Sequence, residues 1–215
     1  MGTVLSATAG VGAAAPLPET QPQQPPVRAT TPEVAVAGPV SGDERCYHPG
    51  PDADLHGCDL RFLENVLAGA NLAGANLAGA VLGRMKLQGT ILIHANLDHA
   101  ELDHANLTRA RLDGANLTGT VLSNADLADA NIAGVNLTGA NLDHTNLFNA
   151  NLTGSDLHEQ DLRATNLNGA NLNAANLIGV ALNNAGLNGV NLNGAHLTHA
   201  NLTGAKLRET QLDHA

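Results

Sequence analysis

The sequence predicts an all-β solenoid built from five-residue units, and three regularities along the chain predict it. Leucine recurs at every fifth position from Leu67 to Leu212, thirty positions in all, with Ile132 as the one exception. The residue two places before each leucine is usually small, and the residue directly before it is usually Asn or Asp. A period of five fits neither the 3.6-residue α-helix nor the two-residue β-strand, so we expect each unit to combine an extended piece with a turn.

The turn is predicted from the residue two places after each leucine. In 24 of the thirty units this residue is Gly, Asn, Asp or His, as in Gly74, His99 and Asn124. These residue types tolerate positive φ, which the third residue of a type II turn requires. We therefore predict a tight corner in every unit. The leucine and the small residue should face the interior, because no other apolar position recurs.

Composition and charge exclude several classes of protein. Aromatic residues make up 1% of the chain and charged residues 14%, so leucine and alanine have to supply nearly all of the core. The net charge is −10, and the ten Lys and Arg residues are scattered, which argues against direct binding to nucleic acid. No stretch approaches the roughly 18 apolar residues of a membrane span.

The chain divides into three predicted parts. Residues 1–45 carry seven prolines and no apolar period, which is typical of a disordered Ala/Pro/Thr-rich tail. Two other interpretations of this tail are a degenerate secretory signal over residues 1–15 and an N-myristoylation pattern at Gly2 and Ser6. Residues 46–66 are predicted to form an N-terminal cap and the first units. Two units, 53–57 and 58–62, precede a two-residue insertion, Leu63-Glu64, which we interpret as a bulge near the first coil. Residues 67–215 are predicted to form the continuous repeat.

The units from residue 53 to residue 215 resemble the pentapeptide-repeat family, whose pattern is A-(N/D)-L-x-x. The resemblance implies a right-handed quadrilateral β-helix with twenty residues per coil, and thus about eight coils. Residue n then lies above residue n−20, at about 4.8 Å per coil. Eight leucine-type positions would form one core ladder: Leu72, Leu92, Leu112, Ile132, Leu152, Leu172, Leu192 and Leu212.

Histidines are abundant enough to suggest a metal site, but their spacing argues against one. Six of the ten occupy the corner position: His94, His99, His104, His144, His199 and His214. Successive corners of one coil point away from each other, whereas zinc ligands converge at about 2 Å. A continuous β-helix also has no cleft in which carboxylates could pair. We therefore predict no metal, no cofactor and no enzymatic activity.

Outward-facing acidic residues gather on two neighbouring sides of the predicted coil. Glu101, Asp103, Asp143 and Asp161 share one side, and Asp126 with Asp129 lie on the next. The predicted function is a non-enzymatic structural or protein-binding rod that presents flat β-faces, with these acids as the candidate binding face.

The resemblance implies an alternative function, that of a DNA-mimicking effector of DNA gyrase. The sequence departs from that branch of the family in three ways. Residues 53–215 contain 15 acidic and 8 basic residues, a net charge of only −7. There is no projecting loop within the thirty units, and no aromatic C-terminal helix follows them.

The two cysteines and the last coil bear on compartment and assembly. Cys58 falls on an inward small-residue position and Cys46 in the cap. They could form a disulfide that pins the cap, or remain as a buried thiol and a loop thiol; both alternatives stay open. Localisation is cytoplasmic, or secreted or cell-envelope if the signal is genuine and the cysteines are oxidised. The C-terminal coil carries no cap, which suggests an end-to-end homodimer with an otherwise unknown protein partner.

Overall fold

The computed structural model describes residues 43–215. The predicted disordered tail therefore lies outside the described residues, except for its last three positions, and so do the signal segment and the myristoylation pattern. Asp43 caps a 3₁₀ helix, Glu44–Tyr47, by accepting a hydrogen bond from the Arg45 backbone N–H at 3.1 Å. This helix includes Glu44 and Arg45, which the sequence analysis assigned to the tail.

Parallel backbone bridges twenty residues apart define the coil. Asn76 bridges to Asn96, and Asn96 to Asn116, each bridging residue standing directly before a leucine. The extended segments of residues 43–215 are single bridges joined by turns. The column that runs from Asp54 to His196 has eight members, one for each coil. The fold is the right-handed quadrilateral β-helix that the resemblance to the pentapeptide-repeat family implies.

The corners of the coil are type II-like turns, as predicted. In the unit of Leu72, the Ala75 N–H donates to the Leu72 carbonyl at 3.1 Å, and Gly74 has φ 70°. His94 and His99 occupy the same turn position with φ 55° and 54°. Among the thirty units from Leu67 onward, only Ala164 lacks positive φ. The glycines and histidines at these positions are thus explained by backbone geometry.

Leucine side chains fill the interior of the coil. In the ladder that starts at Leu72, every member up to Leu192 is at most 1% exposed. Leu212 occupies the eighth ladder position but is 44% exposed, because no further described coil stacks on it. Burial of each leucine contributes about 1.5–3 kcal/mol before the cost of ordering the chain.

Polar residues at the inward small position are also satisfied. The hydroxyl of Thr90 donates to the Leu67 carbonyl at 2.8 Å, a bond to the residue 23 places earlier. The same bond is made by Thr120, Thr145, Ser155, Thr165 and Thr210. These internal hydroxyls join neighbouring coils without leaving an unpaired group in the core.

The first coil contains 22 residues, because Asp54 bridges to Asn76. The predicted insertion accounts for the two extra residues. It belongs to a turn that begins with a second 3₁₀ helix, Arg61–Leu63, and Leu63 is fully buried. The insertion therefore lies in the first coil, where it adds a leucine to the core while Glu64 stays exposed.

The coil begins one unit earlier than residue 53. The Ala53 N–H donates to the Gly50 carbonyl at 3.3 Å, and Asp52 has φ 57°, the conformation of the other corners. The Asp52 N–H also donates to the Ala73 carbonyl of the next coil at 2.8 Å. This unit has Gly50 where the others have leucine, which conceals it in the sequence.

A disulfide joins Cys46 to Cys58, and it ties the cap to the inner wall of the first coil. The Tyr47 and Phe62 rings pack beside it, with centroids 5.2 Å apart. Arg45 reaches the Asp54 carboxylate at 2.9 Å. Neither helix in residues 43–215 is long and apolar enough to cross a membrane.

Candidate binding face

The four sides of the coil differ in what their outward side chains do, and each is named here by one of its bridging residues. The Asn96 face has the bridging residues 54, 76, 96, 116, 136, 156, 176 and 196. The Glu101 face has 59, 81, 101, 121, 141, 161, 181 and 201. The Asn146 face has 86, 106, 126, 146, 166, 186 and 206, and the Asn151 face has 71, 91, 111, 131, 151, 171, 191 and 211.

Three faces carry side-chain ladders that join one coil to the next. On the Asn96 face, the Asn96 amide donates to Asn76 at 3.2 Å, and Asn116 donates to Asn96 at 3.0 Å. On the Asn151 face, Asn151 donates to Asn131 at 2.8 Å. The amides on these faces therefore serve mainly to hold the stack together.

The Asn146 face carries the third ladder, and it includes two residues of the predicted acidic surface. Asp126 accepts a hydrogen bond from the Asn146 amide at 2.8 Å. Asp129 accepts one from Asn149 at 3.4 Å and lies 3.9 Å from the Arg109 guanidinium. Both carboxylates are thus engaged within the rod.

The Glu101 face is different. Within residues 43–215, no side-chain hydrogen bond joins successive coils on this face. Its bridging residues alternate between apolar and polar types, as in Val81, Glu101, Val121 and Asn141. An amide ladder needs adjacent amides or carboxylates, so the alternation prevents one as far as Asn141. Asn141 and Asp161 are adjacent polar positions, but no backbone bridge joins their coils there. The polar side chains of this face remain available to another molecule.

The structure brings four predicted acids together on the Glu101 face, but they are not equivalent. Asp161 is neutralised by Arg163, whose Nε lies 2.8 Å from Oδ1, and this hydrogen bond lowers the pKa of Asp161. Within the described chain, Glu101 and Asp103 form no salt bridge, and Asp143 lies 3.8 Å from the exposed His144. Glu101, Asp103 and Asp143 therefore supply the free negative charge of this face.

The Glu101 face also contains a cleft, which the sequence analysis wrongly excluded. The bridge that would join Asn141 to Asp161 is missing from the otherwise regular columns of residues 71–161. Four successive coil-to-coil backbone bonds are lost here: Gly139 to His158, Asp161 to Ala140, Leu142 to Asp161, and His144 to Arg163. The resulting cleft has a volume of about 550 Å³ and is lined by residues 140–143, 160, 161, 163, 164, 183 and 184.

Gln160 explains the cleft. It occupies an inward position that is small in neighbouring coils, such as Ala140, yet it is only 7% exposed. Its Nε2 donates to the Leu137 carbonyl at 3.0 Å, which is the same bond that the threonines make with a shorter side chain. The longer amide separates the two coils at this corner. Ala164 is not the cause by itself, because Ala174 adopts the usual φ of 54°.

Comparison with known proteins agrees with this architecture. The family model described as pentapeptide repeats matches eight copies, spread over residues 66–103, 105–143, 125–159, 140–179, 161–194 and 182–215. The chain belongs to the pentapeptide-repeat family. No curated protein matches.

Several solved pentapeptide-repeat structures are similar to the chain. HetL of the cyanobacterium Nostoc sp. strain PCC 7120, involved in regulating heterocyst differentiation, is 32% identical; the match covers 76% of this chain and 84% of HetL, with a TM-score of 0.46. Rfr23 of the cyanobacterium Cyanothece 51142 is 29% identical; the match covers 72% of this chain and 97% of Rfr23, with a TM-score of 0.29. Full-length QnrB1, a plasmid-mediated fluoroquinolone resistance protein, is 18% identical, covering 77% and 93%, with a TM-score of 0.34.

The histidines of this pentapeptide-repeat chain are dispersed over its corners. No group of three or more His, Cys, Asp or Glu residues in residues 43–215 is arranged to hold a metal ion. A hydrogen bond to Asp156 raises the pKa of His158. The two residues lie two places apart in one unit, at 2.8 Å, and form a local pair on the Asn96 face.

Proposed function

We propose that this pentapeptide-repeat protein is a non-enzymatic, protein-binding rod that contacts its partner through the Glu101 face. One observation carries the proposal. Each of the other three faces has runs of outward polar groups engaged in coil-to-coil ladders, whereas the described part of the Glu101 face has none. A partner can bind the polar groups of the Glu101 face without first breaking contacts that stabilise the stack.

The charge of the face indicates the kind of partner. Glu101, Asp103 and Asp143 are exposed or half-buried carboxylates that form no salt bridge with Lys or Arg in residues 43–215, although the Arg61 guanidinium interacts electrostatically with Glu101 and Asp103. Asp103 and Asp143 stand two coils apart, about 9–10 Å, so their fields overlap at physiological ionic strength. A surface of this kind attracts a partner that presents basic residues, and salt should weaken the association.

The test is a matched pair of charge reversals in the full chain. The double variant Glu101→Lys/Asp103→Lys changes the Glu101 face, and Arg111→Glu changes the Asn151 face as a control. Affinity capture from the source organism should enrich a protein that the first variant loses and the control retains. Equal recovery by both variants would place the contact elsewhere and would refute the assignment of the face.

The DNA-mimic alternative has less charge available than the sequence indicates. Two of the six predicted acids are paired with arginines, Asp129 with Arg109 and Asp161 with Arg163. QnrB1 shares 18% identity, a level that indicates the fold alone. Supercoiling by DNA gyrase tests this alternative directly. If stoichiometric protein neither inhibits the enzyme nor relieves a quinolone, the alternative is removed.

End-to-end pairing through the C-terminal coil stays a proposal. Leu207 and Leu212 are 40% and 44% exposed there, and together they present an apolar surface. Two copies stacked on this surface would bury both leucines. Light scattering at tens of micromolar should then give twice the monomer mass, and a monomeric mass would count against pairing.

A further inference from the structure

We infer that the cleft on the Glu101 face is an anchoring pocket for a basic side chain, an arginine carried on an extended segment of the partner protein. The inference deepens the proposed function and rests on it. Four features carry it: the unpaired backbone groups along both rims, the buried Gln160 amide, the free Asp143 carboxylate, and the apolar residues of the wall.

The first feature is the set of backbone groups freed where the coils separate. The carbonyls of Ala140, Asp161 and Arg163 lose the coil-to-coil hydrogen bonds that their counterparts in other coils accept. The N–H groups of Leu142 and His144 lose their acceptors in the same way. In most other units of residues 43–215 the equivalent groups pair at 2.6–3.1 Å, although the N–H groups of Asn136, Ala164, Leu167 and Gly186 also lack these bonds. Groups of this kind need a partner when water is displaced from them.

The second feature is Gln160 itself. Its Nε2 is bonded to the Leu137 carbonyl, whereas its Oε1 accepts no hydrogen bond within the described chain. The side chain is more than nine-tenths buried and lines the cleft. Oε1 is reached by solvent through the cleft, so an incoming N–H group can donate to it in place of water.

The third feature is charge. Three charged side chains line the cleft: Asp143, Asp161 and Arg163. Asp161 and Arg163 neutralise each other, so Asp143 leaves one net negative charge. A guanidinium group offers five N–H donors and no acceptor, which suits a carboxylate, an amide oxygen and several carbonyls.

The remaining feature is the wall and its rim. Ala140, Leu142 and Ala164 line the cleft and provide apolar surface for the methylene stem of an arginine. The freed N–H groups of Leu142 and His144 suit the carbonyl oxygens of the segment that carries it. One arginine and its neighbouring peptide groups would thus satisfy donors and acceptors together.

The test uses the full chain labelled with ¹⁵N and titrated with the peptide acetyl-Ala-Arg-Ala-amide. We expect saturable shifts at the amides of Leu142 and His144 and at the Gln160 side chain, with a dissociation constant of roughly millimolar order for so small a ligand. The control peptide acetyl-Ala-Leu-Ala-amide should leave these signals in place. Equal shifts with both peptides, or none with the arginine peptide, would overturn the inference.

Two variants separate the pocket from the rest of the face. In Gln160→Thr the threonine hydroxyl can donate to the Leu137 carbonyl, just as Thr120, two coils earlier, donates to the Leu97 carbonyl. The variant removes only the longer side chain. This variant should raise the dissociation constant of the arginine peptide at least tenfold while the protein stays folded. Asp143→Asn should raise this dissociation constant several-fold. Asp103→Asn, which lies outside the cleft, should raise it by less than twofold. Unchanged binding by Gln160→Thr would overturn the inference.

The outcomes for the face and for the pocket are distinguishable. If charge reversal at Glu101 and Asp103 abolishes capture of the partner but Gln160→Thr binds the arginine peptide normally, the pocket is wrong and the face stands. If the peptide binds as expected but the charge reversals leave capture unchanged, the pocket stands and the face as partner surface is wrong.

Discussion

Replacing Gln160 by threonine should close the cleft and stabilise the rod. Thr120, Thr145 and Thr165 show that a threonine fits this kind of position, with Oγ1 bonded to a leucine carbonyl at 2.8–3.0 Å. The variant therefore keeps the internal hydrogen bond and lets the two coils approach. Once they do, the four missing backbone bonds can form, with Leu142 and His144 among their donors.

The magnitude follows from those four bonds. Each contributes about 0.5–1.5 kcal/mol net, or about 2–6 kcal/mol together. The smaller side chain forfeits the burial of about one methylene group, about 0.8 kcal/mol. We expect a net gain of about 1–5 kcal/mol. For a chain of this size each kcal/mol raises Tm by about 2–4 °C.

Urea unfolding and native-state hydrogen exchange measure the effect. In the wild type, the amides of Leu142 and His144 should exchange much faster than those of Leu102 and His104, which occupy the same face two coils earlier and donate at 2.8 and 2.9 Å. In Gln160→Thr the two pairs should converge. A variant that is no more stable than the wild type, with Leu142 and His144 still unprotected, would refute the idea that Gln160 holds the coils apart.

Three further predictions concern the core, the cap and its ion pair. Leu152→Ala should destabilise the rod by about 2–5 kcal/mol, because Leu152 is fully buried, whereas Leu212→Ala in the same ladder should cost less than about 1 kcal/mol, as measured by urea unfolding. Reducing the Cys46–Cys58 disulfide should cost about 2–3 kcal/mol and speed hydrogen exchange in the first coil, with the middle coils unchanged. Hydrogen bonds, first from His56 and then from Arg45, lower the pKa of Asp54 from 3.8 to about 2. The Asp54 carboxylate therefore stabilises the cap above about pH 4, and this contribution is lost as the pH falls towards 2.

Each of these three predictions has its own contrary result. Equal costs for Leu152→Ala and Leu212→Ala would show that stacking does not depend on burial within the ladder. First-coil exchange that is unaffected by reduction would mean that the cap holds without its covalent link. For the ion pair, the measurement is the Tm difference between the wild type and Asp54→Asn. It should shrink between pH 4 and pH 2, and a constant difference would contradict the lowered pKa.

The repeat was readable from the sequence because one residue type recurs in one environment. Leucine at every fifth position and Gly, Asn, Asp or His at the corner specify the same turn in unit after unit, and Gly74 and His99 have the φ that their residue types favour. The unit at Gly50 was not predicted, because its leucine is replaced. Its remaining signal is Pro51-Asp52, a pair that suits a type II turn.

The cleft could not be predicted by counting repeats. Gln160 preserves the register of five, so the pattern continues through it without a break. Its signal is a long, polar side chain where other inward positions hold Ala, Thr, Ser, Val or the apolar Met85. The free Glu101 face was also hidden, since the ladders depend on which residues stand twenty apart. Val81, Glu101 and Val121 reveal it once the coil length is known.

The twenty-residue length of the coil decides on which face each outward residue lies. Deleting one five-residue unit between residues 122 and 136 would leave a leucine at every core position, so the hydrophobic interior would not register the loss. Every later residue would nevertheless move by one side of the coil, a quarter turn about the rod axis. Asp143 and the cleft would then lie on the Asn96 face. Deleting twenty residues would shorten the rod by one coil and restore the faces. Insertions and deletions in multiples of five are therefore tolerated by the core, whereas only multiples of twenty preserve the alignment of Glu101 and Asp103 with Asp143.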